Sequence, residues 1–155
     1  MGSNLGDREE HLRQAIIDLE AIAGCNGVVM ASVYETAPMG PQDQPDYLNS
    51  VCVFECTLKP QALLREMKRI EAEHGRTQLS RRWGARSLDL DILLFGRQQI
   101  DTENLIIPHV GIAERSFVLW PLAELDPELQ IPGLENLSIL KERCEKYGIK
   151  RYADL

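Results

Sequence analysis

The order of hydrophobic periods along the chain constrains its fold more than any single residue does. From Asp7 onward Leu12, Ala15, Ile16, Leu19, Ile22 and Ala23 recur at helical spacing, and Gly24 ends the run. Residues 28–34 are β-branched and alternate, which predicts a strand. Residues 36–46 carry three prolines and a glycine without any period, so they read as a loop. In residues 47–58 the alternation returns: Leu48, Cys52, Phe54, Cys56 and Leu58 point one way, and Tyr47, Asn49, Val51 and Val53 the other. Pro60 then suits a first helical position, Leu63, Leu64, Met67 and Ile70 form a buried stripe, and Gly75 stops it. Residues 88–95 make a third strand, with a turn at 96–98. The remainder predicts an extended Leu105–Ile107, a short helix at 111–116, an apolar run at 117–122 and a terminal helix over 137–147.

Helix, strand, strand, helix, strand becomes an α+β, ferredoxin-like split β-α-β sandwich if one strand precedes the first helix: a mainly antiparallel sheet with helices on one face. Only about six residues stand there, so either that first strand is stubby or the chain begins inside it. Gly2, Ser3, Asn4, Leu5 and Gly6 read on their own as a tight turn before the helix.

A chain of 155 residues is expected to fold as a single domain over residues 1–155. Its net charge of -7 argues against broad binding to nucleic acid or anionic membranes, so an anion would need a local basic cluster. No apolar run approaches the roughly 20 residues that span a bilayer, and no leader pattern is present. Cys25, Cys52, Cys56 and Cys144 have neither metal-site nor redox-motif spacing, and are expected to be free packing residues of a cytoplasmic protein.

Chemistry concentrates between Arg76 and Asp91. Period-two geometry puts Asp89 and Asp91 on one face, with Leu88, Leu90, Ile92 and Leu94 on the other. Neighbouring carboxylates repel in a strand, a cost that a cation between them would offset. Oxygen donors without histidine or cysteine suit a hard ion, magnesium before zinc. The competing reading is a solvated face with an arginine partner. Arg76, Arg81, Arg82 and Arg86 precede the pair with no acidic residue among them, and arginine forks grip phosphate oxygens. Trp83 lies within that run, placed to cover a base or close a lid. Acid pair and arginines together are what a metal–polyphosphate complex requires. The glycine-lysine loop of P-loop nucleotide sites is absent.

Two further constellations are weaker alone. Tyr47 and Asn49 share a strand face, a flat ring beside an amide that can read a heterocycle's edge, or an exposed tyrosine and a turn asparagine. His109, Arg115 and Phe117 could meet a phosphate, neutralise charge and stack on a ring, although a lone histidine is more often structural.

Taken together, Gly-Pro-Gln-Asp-Gln-Pro-Asp-Tyr-Leu-Asn at 40–49, Arg-Trp-Gly-Ala-Arg-Ser-Leu-Asp-Leu-Asp-Ile at 82–92 and Pro-His at 108–109 strongly resemble 6-hydroxymethyl-7,8-dihydropterin pyrophosphokinase, a folate-pathway enzyme. Arg115, Phe117 and Leu-Trp-Pro-Leu at 119–122 extend the match over nearly the whole chain. The resemblance implies the ferredoxin-like sheet, and transfer of the terminal two phosphates of ATP to the pterin's hydroxymethyl group with release of AMP. It implies that Asp89 and Asp91 hold two magnesium ions, and that Arg76 and Arg86 are loop arginines reaching the phosphates. Arg82 would steer that loop and Trp83 would help it close. By the same resemblance Tyr47 and Phe117 sandwich the pterin, while Asn49 and the backbone near Thr36 and Met39 read its edge. His109, Arg115 and Ile92 fall on the ATP side, with Lys68 and Glu71 as weaker candidates there.

Three positions depart from that pattern. Gln78 stands where some relatives carry a basic residue, and Val110 where an aromatic sometimes sits. Met1 takes the place of several strand residues, so a start upstream of Met1 is expected, because an incomplete central strand leaves ladder groups unpaired in both neighbours. A monomer acting on small molecules is expected. The rivals are an RNA-binding ferredoxin-like module, which the charge and the lack of an aromatic RNA-binding run oppose, and an ATP-binding regulatory domain without transfer.

Overall fold

The computed structural model describes residues 1–75, 84–144 and 148–155. The two helices predicted from apolar stripes form where those stripes place them. Helix α1 (Arg8–Glu20) is capped by the Asp7 carboxylate, which accepts from the Glu10 N–H at 3.1 Å, and it buries Leu12, Ala15 and Leu19. It stops at Glu20, earlier than predicted, and Gly24 turns the chain with φ +90°. Helix α2 (Pro60–Glu73) starts on its proline, which lacks the N–H that a first turn leaves unused. Leu63, Met67 and Ile70 are its buried stripe, and Gly75 (φ +85°) lies just past its end.

The strands are more broken than alternation predicts. Residues 28–34 divide between β2 (Cys25–Met30) and β3 (Val33–Thr36), and residues 47–58 between β4 (Tyr47–Asn49) and β5 (Cys52–Cys56). The cause is a shared corner. The Ser50 hydroxyl donates to the Ala31 carbonyl at 3.0 Å, and the Ala31 N–H donates to the Val51 carbonyl at 2.9 Å. There both chains leave one sheet and enter another, so β2 pairs with β5 while β3 pairs with β4.

Gly2–Ser3 is a strand, β1, and not the turn that its glycines predict. It pairs antiparallel with β4 on one side and bridges Asp89 on the other, through Gly2 N–H to Asp89 carbonyl at 2.9 Å and Asp89 N–H to Gly2 carbonyl at 2.8 Å. Gly2 is required there, since a Cβ would sit 2.7 Å from the Asn49 side-chain oxygen. The predicted strand at 88–95 meets β1 at that one bridge. Its next donor, Leu90 N–H, goes instead to the Glu71 carboxylate at 2.7 Å, and Leu93 accepts from His109 N–H at 2.9 Å. Beyond the two-residue β1, residues 91–95 and β5 border an apolar cavity of about 630 Å³.

Two strands carry no sequence signal: β6 (Ile100–Thr102), which forms a hairpin with the expected extended Leu105–Ile107 (β7), and β8 (Lys150–Ala153), which pairs with β3. The main sheet runs β1-β4-β3-β8. A 3₁₀ turn at Ile112–Glu114 replaces the predicted short helix, and the apolar run at 117–122 belongs to α3 (Ser116–Leu125), which continues through Pro121. The terminal helix α4 (Leu137–Arg143) is shorter than predicted; residues 145–147 lie outside the described part. Among the described residues, no helix is long and apolar enough to cross a membrane.

Helices cover both faces, not one. The larger apolar cluster joins α1 and α2 to Val33, Leu48, Leu88, Leu90 and Ile92. A second joins α3 and α4 to Val51, Ile112 and Leu93. Neighbouring residues on a strand point oppositely, so Ile92 and Leu93 mark the two sides. The architecture is α+β and ferredoxin-like.

Candidate active site

The face turned toward α3 collects the polar residues that the sequence singled out. Across β3 and β4, Tyr34 opposes Asn49 and Thr36 opposes Tyr47, and directly opposed residues share a face. Tyr34 reaches α3 through its hydroxyl, which donates to the Glu124 carboxylate, so all four residues look to that side. Asp89 and Asp91 share Leu93's face, because Leu88, Leu90 and Ile92 are buried on the other. The predicted alternation of the acid segment therefore holds although its ladder does not.

Asp89 is ion-paired with Arg86, Nη1 to Oδ1 at 2.8 Å, and the pair is mostly shielded, its side chains 26% and 14% exposed. Burial works to lower the Arg86 pKa, but Asp89, with help from Tyr47 and Asp91, overrides it and the net direction is up. Asp91 is exposed. Beneath the pair lies Glu71, 1% exposed, whose carboxylate holds the Leu90 N–H and takes the Lys68 ammonium at 3.0 Å. This carboxylate anchors α2 to the acid segment, and Ile92 packs its side chain in the core.

His109 lies near the same charges. Burial lowers its pKa and so does Arg115, while Asp91 and Asp89 work to raise it; the net direction is down. Its Nδ1 accepts from the Gly111 N–H at 3.0 Å, so the neutral ring carries its proton on Nε2. Arg115 begins α3 with its guanidinium carbon 5.9 Å from the centroid of the Phe117 ring. Gly111 makes room for it: a Cβ there would stand 2.5 Å from the Arg115 Nε.

At the other end, Asn49 Nδ2 donates to Thr36 Oγ1 at 2.7 Å, both residues buried. The Tyr47 hydroxyl donates to the Gly84 carbonyl at 3.0 Å, tying β4 to the segment that leads into Arg86. Met39 stands exposed in the proline-rich loop. Arg76, Gln78, Arg81, Arg82 and Trp83 lie outside the described residues.

Sequence reasoning passed over Asn4. It is 1% exposed; its Nδ2 donates to Gln44 Oε1 at 3.0 Å and to the Pro45 carbonyl at 2.9 Å, while its Oδ1 accepts from the Arg86 N–H at 2.7 Å. One amide thus holds the 36–46 loop and the start of the acid segment at a fixed spacing. Gly2 was missed for a similar reason, since the side chain that leaves no room for a Cβ there is that of Asn49, distant in sequence. The available signal was the Gly2-Ser3-Asn4 run, too short to carry a period.

The geometry unites an outward acid pair, an arginine, a histidine that donates from Nε2, and a strand face able to read a planar ring. Residues 1–127 match the family model of 7,8-dihydro-6-hydroxymethylpterin-pyrophosphokinase. The chain is 44% identical over 154 residues to the 2-amino-4-hydroxy-6-hydroxymethyldihydropteridine pyrophosphokinase of Haemophilus influenzae, covering 99% of this chain and 91% of that protein. It is 47% identical over 130 residues to the Bacillus subtilis protein of the same name, covering 84% and 77%. A third likeness, 39% over 153 residues, is to the folic acid synthesis protein fol1 of Schizosaccharomyces pombe, 98% of this chain against 21% of that one. The chain belongs to the 7,8-dihydro-6-hydroxymethylpterin-pyrophosphokinase family.

Proposed function

We propose that this pyrophosphokinase of folate biosynthesis moves the terminal two phosphates of ATP onto the hydroxymethyl oxygen of 6-hydroxymethyl-7,8-dihydropterin, and that Asp89 and Asp91 are the residues that would hold two magnesium ions. The supporting observation is the outward acid pair braced by Arg86 on the sheet face that also carries Tyr47 and Asn49. A pair of carboxylates offers the oxygen donors that fit a hard, oxygen-seeking ion. Magnesium, when bound, neutralises the phosphate charge.

The hydroxyl oxygen attacks the β-phosphorus in line and loses its proton to solvent; the bond from that phosphorus to the α-phosphate's bridging oxygen breaks, and AMP leaves with the electron pair. Tyr47 and Phe117 sandwich the pterin, and Asn49 with the backbone near Thr36 and Met39 reads its edge. Arg86 bears on the transferring phosphates, joined by Arg76, while Arg82 and Trp83 act from the same loop. His109, as an Nε2 donor, and Arg115 meet the AMP side, with Ile92, Lys68 and Glu71 supporting the ATP site from below. A loose transition state needs no strong base before bond-making, and alignment alone can supply about 7–11 kcal/mol. The machinery occupies one domain over residues 1–155 and works as a monomer in the cytoplasm.

Incubation with ATP, magnesium and the hydroxymethyl-dihydropterin tests this. AMP and the pterin diphosphate should appear in equal amounts; ADP, or no product, would overturn it. Arg86→Ala should slow single-turnover transfer more than it weakens ATP binding.

A further inference from the structure

Two thiols outside the site stand closer than packing alone explains. Cys25 opens β2 and Cys56 closes β5, and the two are directly opposed in the antiparallel ladder. Their Sγ atoms are 3.1 Å apart. Opposed residues on antiparallel strands have Cα atoms about 4.5–5.5 Å apart, inside the range of about 4.4–6.8 Å that a disulfide tolerates. Shortening the sulfur separation from 3.1 Å to about 2.05 Å is a side-chain movement that leaves the ladder in place.

The surroundings fix that geometry. Thr57 N–H donates to the Gly24 carbonyl at 2.8 Å, just past the cysteine pair, so the strand ends cannot drift apart. Cys25 is buried at 6% exposure, whereas Cys56 is half-buried and lines the 630 Å³ cavity, which gives a small oxidant a way in. Cys52, on the same strand, is paired with Met30 instead.

We propose that Cys25 and Cys56 are an oxidation site that a hydroperoxide converts into a cross-strand disulfide. The Cys56 thiolate attacks one peroxide oxygen; the O–O bond breaks, and for hydrogen peroxide the other oxygen leaves as water after taking up a proton. The Cys56 sulfenic acid so formed is attacked by the Cys25 sulfur. The S–S bond forms, the S–O bond breaks, and a second water leaves with the Cys25 proton. The two thiols lose two electrons, and the peroxide gains them. Burial, together with the adjoining Cys56, pushes the Cys25 thiol up to about 12, which makes Cys25 a poor first nucleophile and leaves the attack on the peroxide to Cys56.

The bridge would tie the end of α1 to the start of α2. Because it closes a loop between residues 31 positions apart, oxidation should raise the Tm by about 10 °C, reversed by dithiothreitol. The experiment treats the whole protein with hydrogen peroxide, alkylates the remaining thiols and maps the peptides by mass. A Cys25–Cys56 linkage accompanied by the Tm rise is the expected result. Alkylation of both residues, a linkage through Cys52, or Cys56 sulfinic acid beside a free Cys25 would each overturn the proposal. Cys25→Ser should leave a Cys56 sulfenic acid that dimedone traps, with no Tm rise; if that variant does not fold, the wild-type map decides alone.

Discussion

The two faces of the sheet are built on different principles. Toward α1 and α2 the contacts are mostly apolar: Leu12, Leu19, Leu48, Leu88 and Ile70 are all under 2% exposed, and the buried carboxylate of Glu71 is held by a backbone N–H and a lysine. Toward α3, apart from the small cluster under the terminal helices, the residues are polar: Tyr34 bonds Glu124, Asn49 bonds Thr36, Tyr47 bonds the Gly84 carbonyl, Asp89 pairs with Arg86, and Asp91 is exposed. The first face sets stability through area and shape; the second carries polar and charged groups that add little to the apolar core. Stability and catalysis should therefore come apart by face, residue by neighbouring residue.

The sharpest test exploits Leu90 and Asp91, adjacent in sequence and opposite in direction. Asp91→Ala should lower kcat by on the order of 10³-fold, about 4 kcal/mol of transition-state stabilisation, with pterin affinity and Tm almost unchanged. Near-normal turnover would remove Asp91 from the metal site. Leu90→Ala should do the reverse. It empties a 2%-exposed core position and should cost about 2–4 kcal/mol of stability, read as a Tm fall of roughly 4–16 °C, with kcat per folded molecule near wild type. A large rate loss at unchanged Tm would show that the acid segment is not independently braced.

How much of this division was readable beforehand depends on which interactions are local. The stripes of α1 and α2, the Pro60 start and the opposite directions of Leu90 and Asp91 follow from neighbours within a few residues, and they are present in the structure. Pairing partners do not follow from neighbours. Residues 28–34 alternate through Ala31 and Ser32, yet the corner with Ser50 and Val51 sends their halves to different sheets. Residues 88–95 have strand spacing, but Glu71, distant in sequence, takes the N–H that a ladder would use. Likewise Asn4 gains its role only when the fold brings Gln44, Pro45 and Arg86 around it. Arg115, His109 and Asp91 could be named from the sequence, while their mutual electrostatic influence could not. The arginine and tryptophan run at 76–83 lies outside the described residues, so its reading still rests on sequence.

A smaller effect probes the polar face from its aromatic end. Tyr47→Phe keeps the ring but removes the hydrogen bond to the Gly84 carbonyl, worth about 0.5–1.5 kcal/mol. If Tyr47 stacks on the pterin while its hydroxyl only positions the loop, pterin affinity should hold within about twofold and kcat should fall roughly 2- to 10-fold. Loss of pterin affinity with kcat retained would assign the hydroxyl to substrate instead.

The smallest expected effect concerns the mostly apolar side, where α1 meets α2 through an imidazole pair. His11 Nδ1 lies 2.9 Å from His74 Nδ1, and His74 Nε2 lies 3.0 Å from Asp18 Oδ2. One ring must donate to the other, so a proton added to both would set two N–H groups head to head. Burial, then His74, hold the His11 pKa below its ordinary 6.5, against the pull of Asp7 and Glu10. With the folded value depressed, the unfolded chain binds the proton first as pH falls. The contribution to stability is therefore intact above about pH 6.5 and declines below it until the folded value is passed. His109 is depressed by burial as well and adds a decline of the same sign, so the wild-type curve alone assigns nothing to His11. The difference between two curves does. Tm measured from pH 8 to pH 5 should fall less steeply in His11→Phe than in wild type, while the pH dependence of turnover, set on the opposite face, should coincide in the two proteins. Parallel Tm curves would show that the imidazole pair is electrostatically inert; a shifted turnover profile would show that the two faces are coupled through α2 and Glu71.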